Sequence, residues 1–274
     1  MIIEKGGSYN LLQMKDKVIW ITGASSGIGA ELAKQYSKTG ARLILSARRK
    51  LALQAVKDSC ENQKNIEILP LDLIDFKAMD SHVEKAVAFF GSIYLLINNG
   101  GVSQRSLIAE TNFDVYKELM DINYLGTVAL SKALLPYFIK QKKGHFAVVT
   151  SVMGKFGSPF RSGYCGAKHA LHGFFDVLRM EHQKDNVDVT LICPGFVQTN
   201  VTINALTGNG ERLNHNDPAT KNGLEVSLFC KKMIRAIGTK KWEVSFGKKE
   251  KLGVFVKRFS QKLLHAIVMR SNVR

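Results

Sequence analysis

The stretch KVIWITGASSGIG, residues 17–29, decides the fold. Residues 17–22 are a short apolar run that stops at a cluster of Gly and Ser, and residues 28–39 then carry apolar side chains at helical spacing. The reading is strand, tight turn, helix. Gly23 lets the backbone turn sharply, Gly27 lets a phosphate approach main-chain N–H groups, and Gly29 lets helix and strand pack closely. With Ser25, Ser26 and Ile28 these residues make the expected pyrophosphate cradle, where the helix N-terminus adds partial positive charge. A lone glycine-rich turn serves chain reversal as readily as a ligand, so the surrounding pattern carries the argument.

That pattern recurs. Short apolar runs at 42–47, 66–69, 94–98, 145–150 and 187–193, with a last one near 242–246, alternate with stretches long enough for crossover helices. Strands buried on both sides imply a parallel sheet covered on both faces. The expectation is an α/β fold, a Rossmann-type doubly wound three-layer sandwich around a central parallel sheet, with ligands at the carboxyl ends of the strands. The 274 residues, 45% hydrophobic, suit one domain spanning 1–274, with 248–274 as a basic helical extension.

The second strand runs into Ser46-Ala47-Arg48-Arg49, where an acidic residue would bind the ribose 2′-hydroxyl of NAD. Arg48 and Arg49 suit the 2′-phosphate of NADP by charge and fork geometry, the alternative being two solvated helix-start residues. Further on, Tyr164 and Lys168 stand four apart, on one helix face, in SGYCGAKHALHGF. An ammonium group beside a phenol favours the phenolate and so expects a lowered Tyr164 pKa. Ser151, thirteen residues before Tyr164, ends the fifth strand, where its hydroxyl could hold a substrate oxygen or be an ordinary loop residue. Asn123 interrupts a helical stretch that starts near Asn112, which reads as a surface position or a helix bend.

Taken in order, these motifs resemble the short-chain dehydrogenase/reductase family, whose first turn has the Gly-x-x-x-Gly-x-Gly form of 23–29; the matches run from Lys17 to Thr199. The resemblance implies a catalytic tetrad of Asn123, Ser151, Tyr164 and Lys168, with Tyr164 as acid/base and Asn123 holding a water that links Lys168 to solvent. It implies that Asp72, with Leu73, meets the adenine. Tyr164 and Lys168 would also touch the cofactor, and Pro194, Gly195, Val197 and Thr199 would lie along the nicotinamide. Asn98 and Gly100 belong to Asn98-Asn99-Gly100-Gly101 after the fourth strand, where most members have Ala at the third position; Gly100 is expected to loosen that turn. NNGGVSQRSL and YCGAKHALHGFF most resemble the dehydrogenase/reductase member 7 branch, associated with lipophilic carbonyls such as retinoids and steroids. The implied activity is NADP(H)-dependent interconversion of a carbonyl and an alcohol, in a homodimer or homotetramer. Residues 200–222 would form a polar, mobile wall of the substrate pocket.

Other classes are weighed against this. Cys165, His169 and His172 share helical spacing, but no fourth ligand is evident and the helix face is expected to turn away from Tyr164 and Lys168, so no metal is expected. A non-catalytic NADP-binding sensor has no need of Ser151, Tyr164 and Lys168 together. The four cysteines lack CxxC spacing and indicate a reducing, cytoplasmic setting; residues 1–16 read as neither a secretory signal nor a transit peptide. Net charge is +16, and residues 221–274 hold 14 Lys or Arg against three Glu. No aromatic-rich basic motif supports nucleic-acid binding. Residues 248–274 place Leu252, Phe255, Val256, Phe259, Leu263, Ala266 and Ile267 opposite Lys257, Arg258, Gln261, Lys262 and His265. That amphipathic helix is expected either to pack its apolar side on the protein or to lie in an anionic membrane interface.

Overall fold

The computed structural model describes residues 14–215 and 217–271. The reading of residues 1–13, 216 and 272–274 lies outside the described residues. Seven strands form one sheet: β1 Val18–Thr22, β2 Arg42–Ser46, β3 Ile66–Ile68, β4 Leu95–Asn98, β5 Gly144–Val149, β6 Val187–Pro194 and β7 Glu243–Phe246. Their order is β3-β2-β1-β4-β5-β6-β7, and every neighbouring pair is parallel. The chain winds outward from β1 in one direction and then from β4 in the other. That reversal opens a crevice at the carboxyl ends of β1 and β4.

Side-chain alternation along the strands builds two cores. Ile19 and Ile21 of β1 face a cluster with Leu43, Leu45, Leu95, Ile97 and Ile192. Over it lie α1 (Gly27–Ser37), α2 (Lys50–Asp58) and α8 (Val226–Gly238), through Leu32, Leu53, Phe229 and Met233. Val18 and Trp20 face the opposite cluster, covered by α3 (Met79–Phe90), α5 (Gly126–Lys140) and α6 (Ser162–Glu181) through Val83, Leu134, Phe138 and Phe175. Because both sides are buried, these strands read as apolar runs and not as alternating ones. The indole of Trp20 meets the polar requirement of its burial by donating to Ser46 Oγ at 2.8 Å. All four cysteines are buried and free: Cys60 after α2, Cys165 in α6, Cys193 in β6 and Cys230 in α8.

Three expectations change. The stretch from α4 (Phe113–Met120) into α5 passes through a π-helical turn at Asp121–Leu125. Asn123 sits in that turn fully buried, so it is neither a surface residue nor a simple bend. Residues 200–215 are fastened to the body at Leu206 and Gly208. Leu206 N donates to Ser103 O, Arg105 N to Leu206 O, and Asn112 N to Gly208 O, at 2.8–2.9 Å. A Cβ at Gly208 would sit 2.1 Å from Glu110 O, so that glycine serves close approach.

The tail is two helices, α9 (Leu252–Phe259) and α10 (Gln261–Arg270), following the short α7 (Pro218–Lys221), α8 and β7. Ser260 is extended between them, and its Oγ accepts from Leu263 N at 3.1 Å as the cap of α10. The break shifts the helical phase. Leu264, 7% exposed, packs with Val254, Val256 and Val268 on Val152 and Phe156. Phe255, Phe259, Leu263 and Ile267 are 64%, 72%, 55% and 47% exposed. Lys257, expected on the polar side, donates to Lys155 O. Upstream of α9, Glu250 Oε1 accepts from Phe196 N at 3.1 Å and ties the tail to the loop after β6. Among the described residues no helix is long and apolar enough to cross a membrane.

Candidate active site

The crevice is a cleft of about 460 Å³ that runs from the turn after β1, past the ends of β2 and β4, to the loop after β6. At one end Gly23 and Gly27 take left-handed φ of 63° and 54°. A Cβ at Gly29 would lie 2.3 Å from Gly23 O, so α1 starts in contact with the turn that precedes it. Ser25, Ser26, Gly27 and Ile28 line the cleft, and Gly29 stands behind them as packing.

The turn after β4 is pinned to the turn after β1. Thr22 Oγ1 accepts from Asn99 N at 3.0 Å and from Gly100 N at 3.1 Å, while donating to Ile97 O. Asn99 Nδ2 donates to Thr22 O at 3.1 Å. Gly100 therefore does not loosen this turn. Its missing Cβ leaves room for Leu73 Cδ1, which would lie 2.9 Å away. Asn98, expected at the cofactor, is buried behind the wall and donates to Ser131 Oγ at 2.9 Å. Asn99 takes its place at the cleft; the doubled Asn in the sequence held that signal without saying which one faces in.

Arg48 and Arg49 are exposed on the rim after β2, and Asp72 and Leu73 follow β3 along the same wall. No acidic side chain stands at the end of β2. Pro194, Gly195, Val197 and Thr199 line the far side, with the methyl of Thr199 about as close to Gly27 as a Cβ there would allow, 3.2 Å.

Asn123, Ser151, Tyr164 and Lys168 all open onto this cleft. Ser151 Oγ donates to Pro194 O at 3.2 Å and accepts from Met153 N at 3.1 Å. Lys168 Nζ donates to Val149 O at 2.9 Å and lies 5.7 Å from the centre of the Tyr164 ring. Burial brings the Lys168 ammonium down to about 8. For Tyr164 the outcome differs from the expected lowering. Burial raises the phenol; the Ser151 hydroxyl, Arg105 and Arg161 oppose that rise. The Asn123 side chain is spent on its neighbours. Oδ1 accepts from Val102 N, and Nδ2 donates to Val102 O and Leu119 O, each at 3.0 Å. The main-chain O of Asn123, in the π turn, accepts from Thr127 Oγ1 at 3.2 Å.

His172 is one turn beyond Lys168 and buried on the sheet side of α6, not on the outward face that its spacing had implied. It meets Thr150 Oγ1 at 3.1 Å and Glu243 Oε2 at 3.3 Å. Cys165 and His169 stay apart from it; His172, Cys193 and Glu243 are the group with ligand atoms within 4.8 Å. That group suits a cation poorly. Lys155 already holds Glu243 at 2.7 Å, and burial pushes the Cys193 thiol up to about 12.

The sequence model of the short chain dehydrogenase family matches residues 17–209. The chain is 48% identical over 202 residues to human "Dehydrogenase/reductase SDR family member 7", covering 72% of this chain and 60% of that protein. It is 38% identical over 230 residues to the Drosophila melanogaster "Dehydrogenase/reductase SDR family protein 7-like", covering 82% and 71%. The chain spans about 60% of the length of its human and mouse relatives. A Burkholderia phymatum short chain dehydrogenase/reductase, solved in complex with NAD, superposes with TM-score 0.80 at 21% identity over 91% of this chain and 95% of that one. A Streptomyces avermitilis short-chain dehydrogenase gives 0.78 at 22% identity over 93% and 96%. By its matched sequence and its fold, this chain belongs to the short-chain dehydrogenase/reductase family of oxidoreductases, in the dehydrogenase/reductase member 7 branch.

Proposed function

We propose that the chain is an NADP(H)-dependent oxidoreductase that interconverts a lipophilic carbonyl and its alcohol. The carrying observation is one cleft that joins the glycine turn and the arginine rim to Ser151, Tyr164 and Lys168. The turn fits a pyrophosphate because side chains have no room at Gly23 and Gly29 and α1 points its N-terminus there. Arg48 and Arg49 would hold the 2′-phosphate, and Val197 and Thr199 the carboxamide. When bound, the nicotinamide supplies or accepts the hydride. Ser151 orients the substrate oxygen, and Tyr164 gives it a proton or takes one. After Tyr164 gives its proton, Lys168 returns one to the phenolate and is itself recharged from solvent on the Asn123 side; in alcohol oxidation the proton runs the other way. Val102, Ile122, Val201 and Leu206 give the substrate end an apolar side.

A homo-oligomer is part of this proposal, supported by the exposed Val177 and Met180 on α6. So is a cytoplasmic setting with contact to an anionic membrane. Phe255, Phe259, Leu263 and Ile267 lie open beside the exposed Arg258 and Lys262.

The test is turnover with NADPH and NADH against a panel of ketones and aldehydes. Tyr164→Phe should keep NADPH binding and lose turnover by about two orders of magnitude. A variant that turns over at near wild-type rate removes Tyr164 from the proton path. NADPH binding with no turnover on any carbonyl or alcohol would favour the sensor reading.

A further inference from the structure

We infer that Gln104 is a positioning residue: its side chain fixes the first turn of α6 and, through it, the reach of the Tyr164 phenol toward Ser151. The inference rests on the reading of Tyr164 as the proton-transfer group and adds the part that holds it in place.

α6 begins at Ser162, so Gly163 and Tyr164 are its second and third residues. The first N–H groups of a helix have no carbonyl within it to meet, and a short polar side chain at the boundary usually accepts from them. Here the boundary residue is Arg161, whose side chain has only donors and makes no cap bond. Ser162 Oγ meets Tyr116 OH at 3.0 Å, which fastens a side chain but accepts from no helix N–H. The acceptor comes instead from 59 residues earlier in the chain. Gln104, fully buried in the loop after β4, accepts through Oε1 from Gly163 N at 2.8 Å and from Tyr164 N at 3.3 Å.

The amide is held in one orientation. Its Nε2 donates to Ser106 Oγ at 3.1 Å and to Thr111 Oγ1 at 3.4 Å, two hydroxyls that join each other at 2.7 Å. Exchanging the two ends of the amide would set an NH2 group against two N–H donors. The space around the turn is closed as well. A Cβ at Gly163 would lie 2.8 Å from Leu119 Cδ1, 2.9 Å from Tyr116 Cδ1 and 3.3 Å from Gln104 Oε1, so this end of α6 is pressed on α4 and on Gln104.

The other groups at the reacting end have anchors of their own. Lys168 Nζ is held by Val149 O, Ser151 Oγ by Pro194 O and Met153 N, and the Asn123 amide by Val102 and Leu119. Tyr164 is the exception: its phenol meets the Ser151 hydroxyl, and its main chain lies in the turn that the helix itself does not hold. The segment that carries Gln104 is tied on both sides. Asn99 N and Gly100 N donate to Thr22 at the cofactor turn, Val102 N donates to Asn123 Oδ1, and Ser103 O and Arg105 N pair with Leu206 of the substrate wall. One short run of chain thus sets the phenol relative to both the cofactor turn and the substrate wall. Without the Oε1 acceptor, two N–H groups at the packed start of α6 lose their partner, and the turn shifts to find others. A displacement on the order of 1 Å at a reacting group costs up to about a hundredfold in rate, while the cofactor cradle on β1 and α1 is left as it is.

The test compares, in the full chain, Gln104→Met, which removes the acceptor at similar length, with Gln104→Glu, which returns an oxygen to both N–H groups and can accept from the Ser106 hydroxyl. Amide exchange followed by mass spectrometry reads the cap without any substrate. Gln104→Met should speed exchange at residues 162–165 at least about tenfold and leave 170–178 unchanged, and Gln104→Glu should restore most of the protection. Turnover reads the consequence. With NADPH and a reducible ketone, kcat should fall at least about tenfold in Gln104→Met while the Kd for NADPH stays within about twofold of wild type, and Gln104→Glu should recover most of kcat. Arg179→Ala is the control for a general loss of helix stability, since it removes the Arg179–Asp176 ion pair in the last turn of α6. It should lower the melting temperature and keep kcat. Unchanged exchange at 162–165 or unchanged kcat in Gln104→Met overturns the inference, as does an equal fall of kcat in Arg179→Ala at the same loss of melting temperature. Should Gln104→Met fail to fold, Gln104→Asn, whose oxygen falls one carbon short of Gly163 N, takes its place under the same readings. A wild type that turns over no carbonyl or alcohol sinks the oxidoreductase reading, and the exchange arm alone then decides whether Gln104 fixes the turn.

Discussion

Lys168→Met should make the protein more stable at neutral pH. Among the described residues this buried ammonium has no carboxylate partner; it donates to Val149 O at 2.9 Å and lies 5.7 Å from the centre of the Tyr164 ring. Moving its pKa from 10.5 to about 8 costs about 3 kcal/mol of stability while the group is charged in both states. The sign follows from the direction. A lysine depressed on folding penalises the native state fully below about pH 8, and the penalty fades as pH rises to 10.5, where the unfolded lysine also loses its proton. Methionine fills similar volume without charge. It forfeits one hydrogen bond of about 1 kcal/mol, which leaves a net gain of about 2 kcal/mol at pH 7. Urea unfolding of both proteins at pH 7 and pH 10 reads this directly. The gain should be present at the lower pH and largely gone at the higher. A variant less stable at pH 7, or a difference that does not shrink with rising pH, refutes the claim that Lys168 is held there at a cost.

Three further outcomes are expected. Arg48→Asp should lower the ratio of kcat/KM for NADPH over NADH at least about tenfold, measured under one set of substrate conditions, because the carboxylate repels a 2′-phosphate and accepts from a free 2′-hydroxyl. Gly29→Ala should destabilise the fold by about 1–3 kcal/mol and weaken NADPH binding, seen by calorimetry, since its Cβ would meet Gly23 O at 2.3 Å. Arg258→Glu with Lys262→Glu should weaken salt-sensitive binding to phosphatidylserine vesicles in flotation assays, and a wild type that never floats at low salt removes the membrane contact.

The sheet was legible because parallel strands must be apolar on both sides, and the candidate residues Ser151, Tyr164 and Lys168, which line one cleft, because their spacing and side-chain chemistry single them out. What stayed hidden depends on phase and direction. One extra residue in the turn at Asp121–Leu125 carries Asn123 from a presumed surface to full burial, and periodicity has no term for it. Ser260 resets the tail in the same way, so Leu264 and not Phe259 faces the body. The direction of the Tyr164 pKa is set by burial, which spacing to Lys168 cannot report. Glycines serve close approach: Gly100, expected to loosen its turn, leaves room for Leu73, and Gly208, in the wall expected to be mobile, is where two chain segments touch.

The four cysteines are all buried, which shields each thiol from reagents in solution. Burial raises the thiol of Cys60, Cys165, Cys193 and Cys230 alike, so none is a thiolate at neutral pH and none reacts readily with peroxide or an alkylating agent. They are also distributed, one after α2 and one each in α6, β6 and α8. Reaction with a thiol reagent then requires the surrounding element to open first, and the rate at each cysteine reads the opening of its own region. The native chain carries four clocks, and site-resolved alkylation would time how each part of the sandwich comes undone.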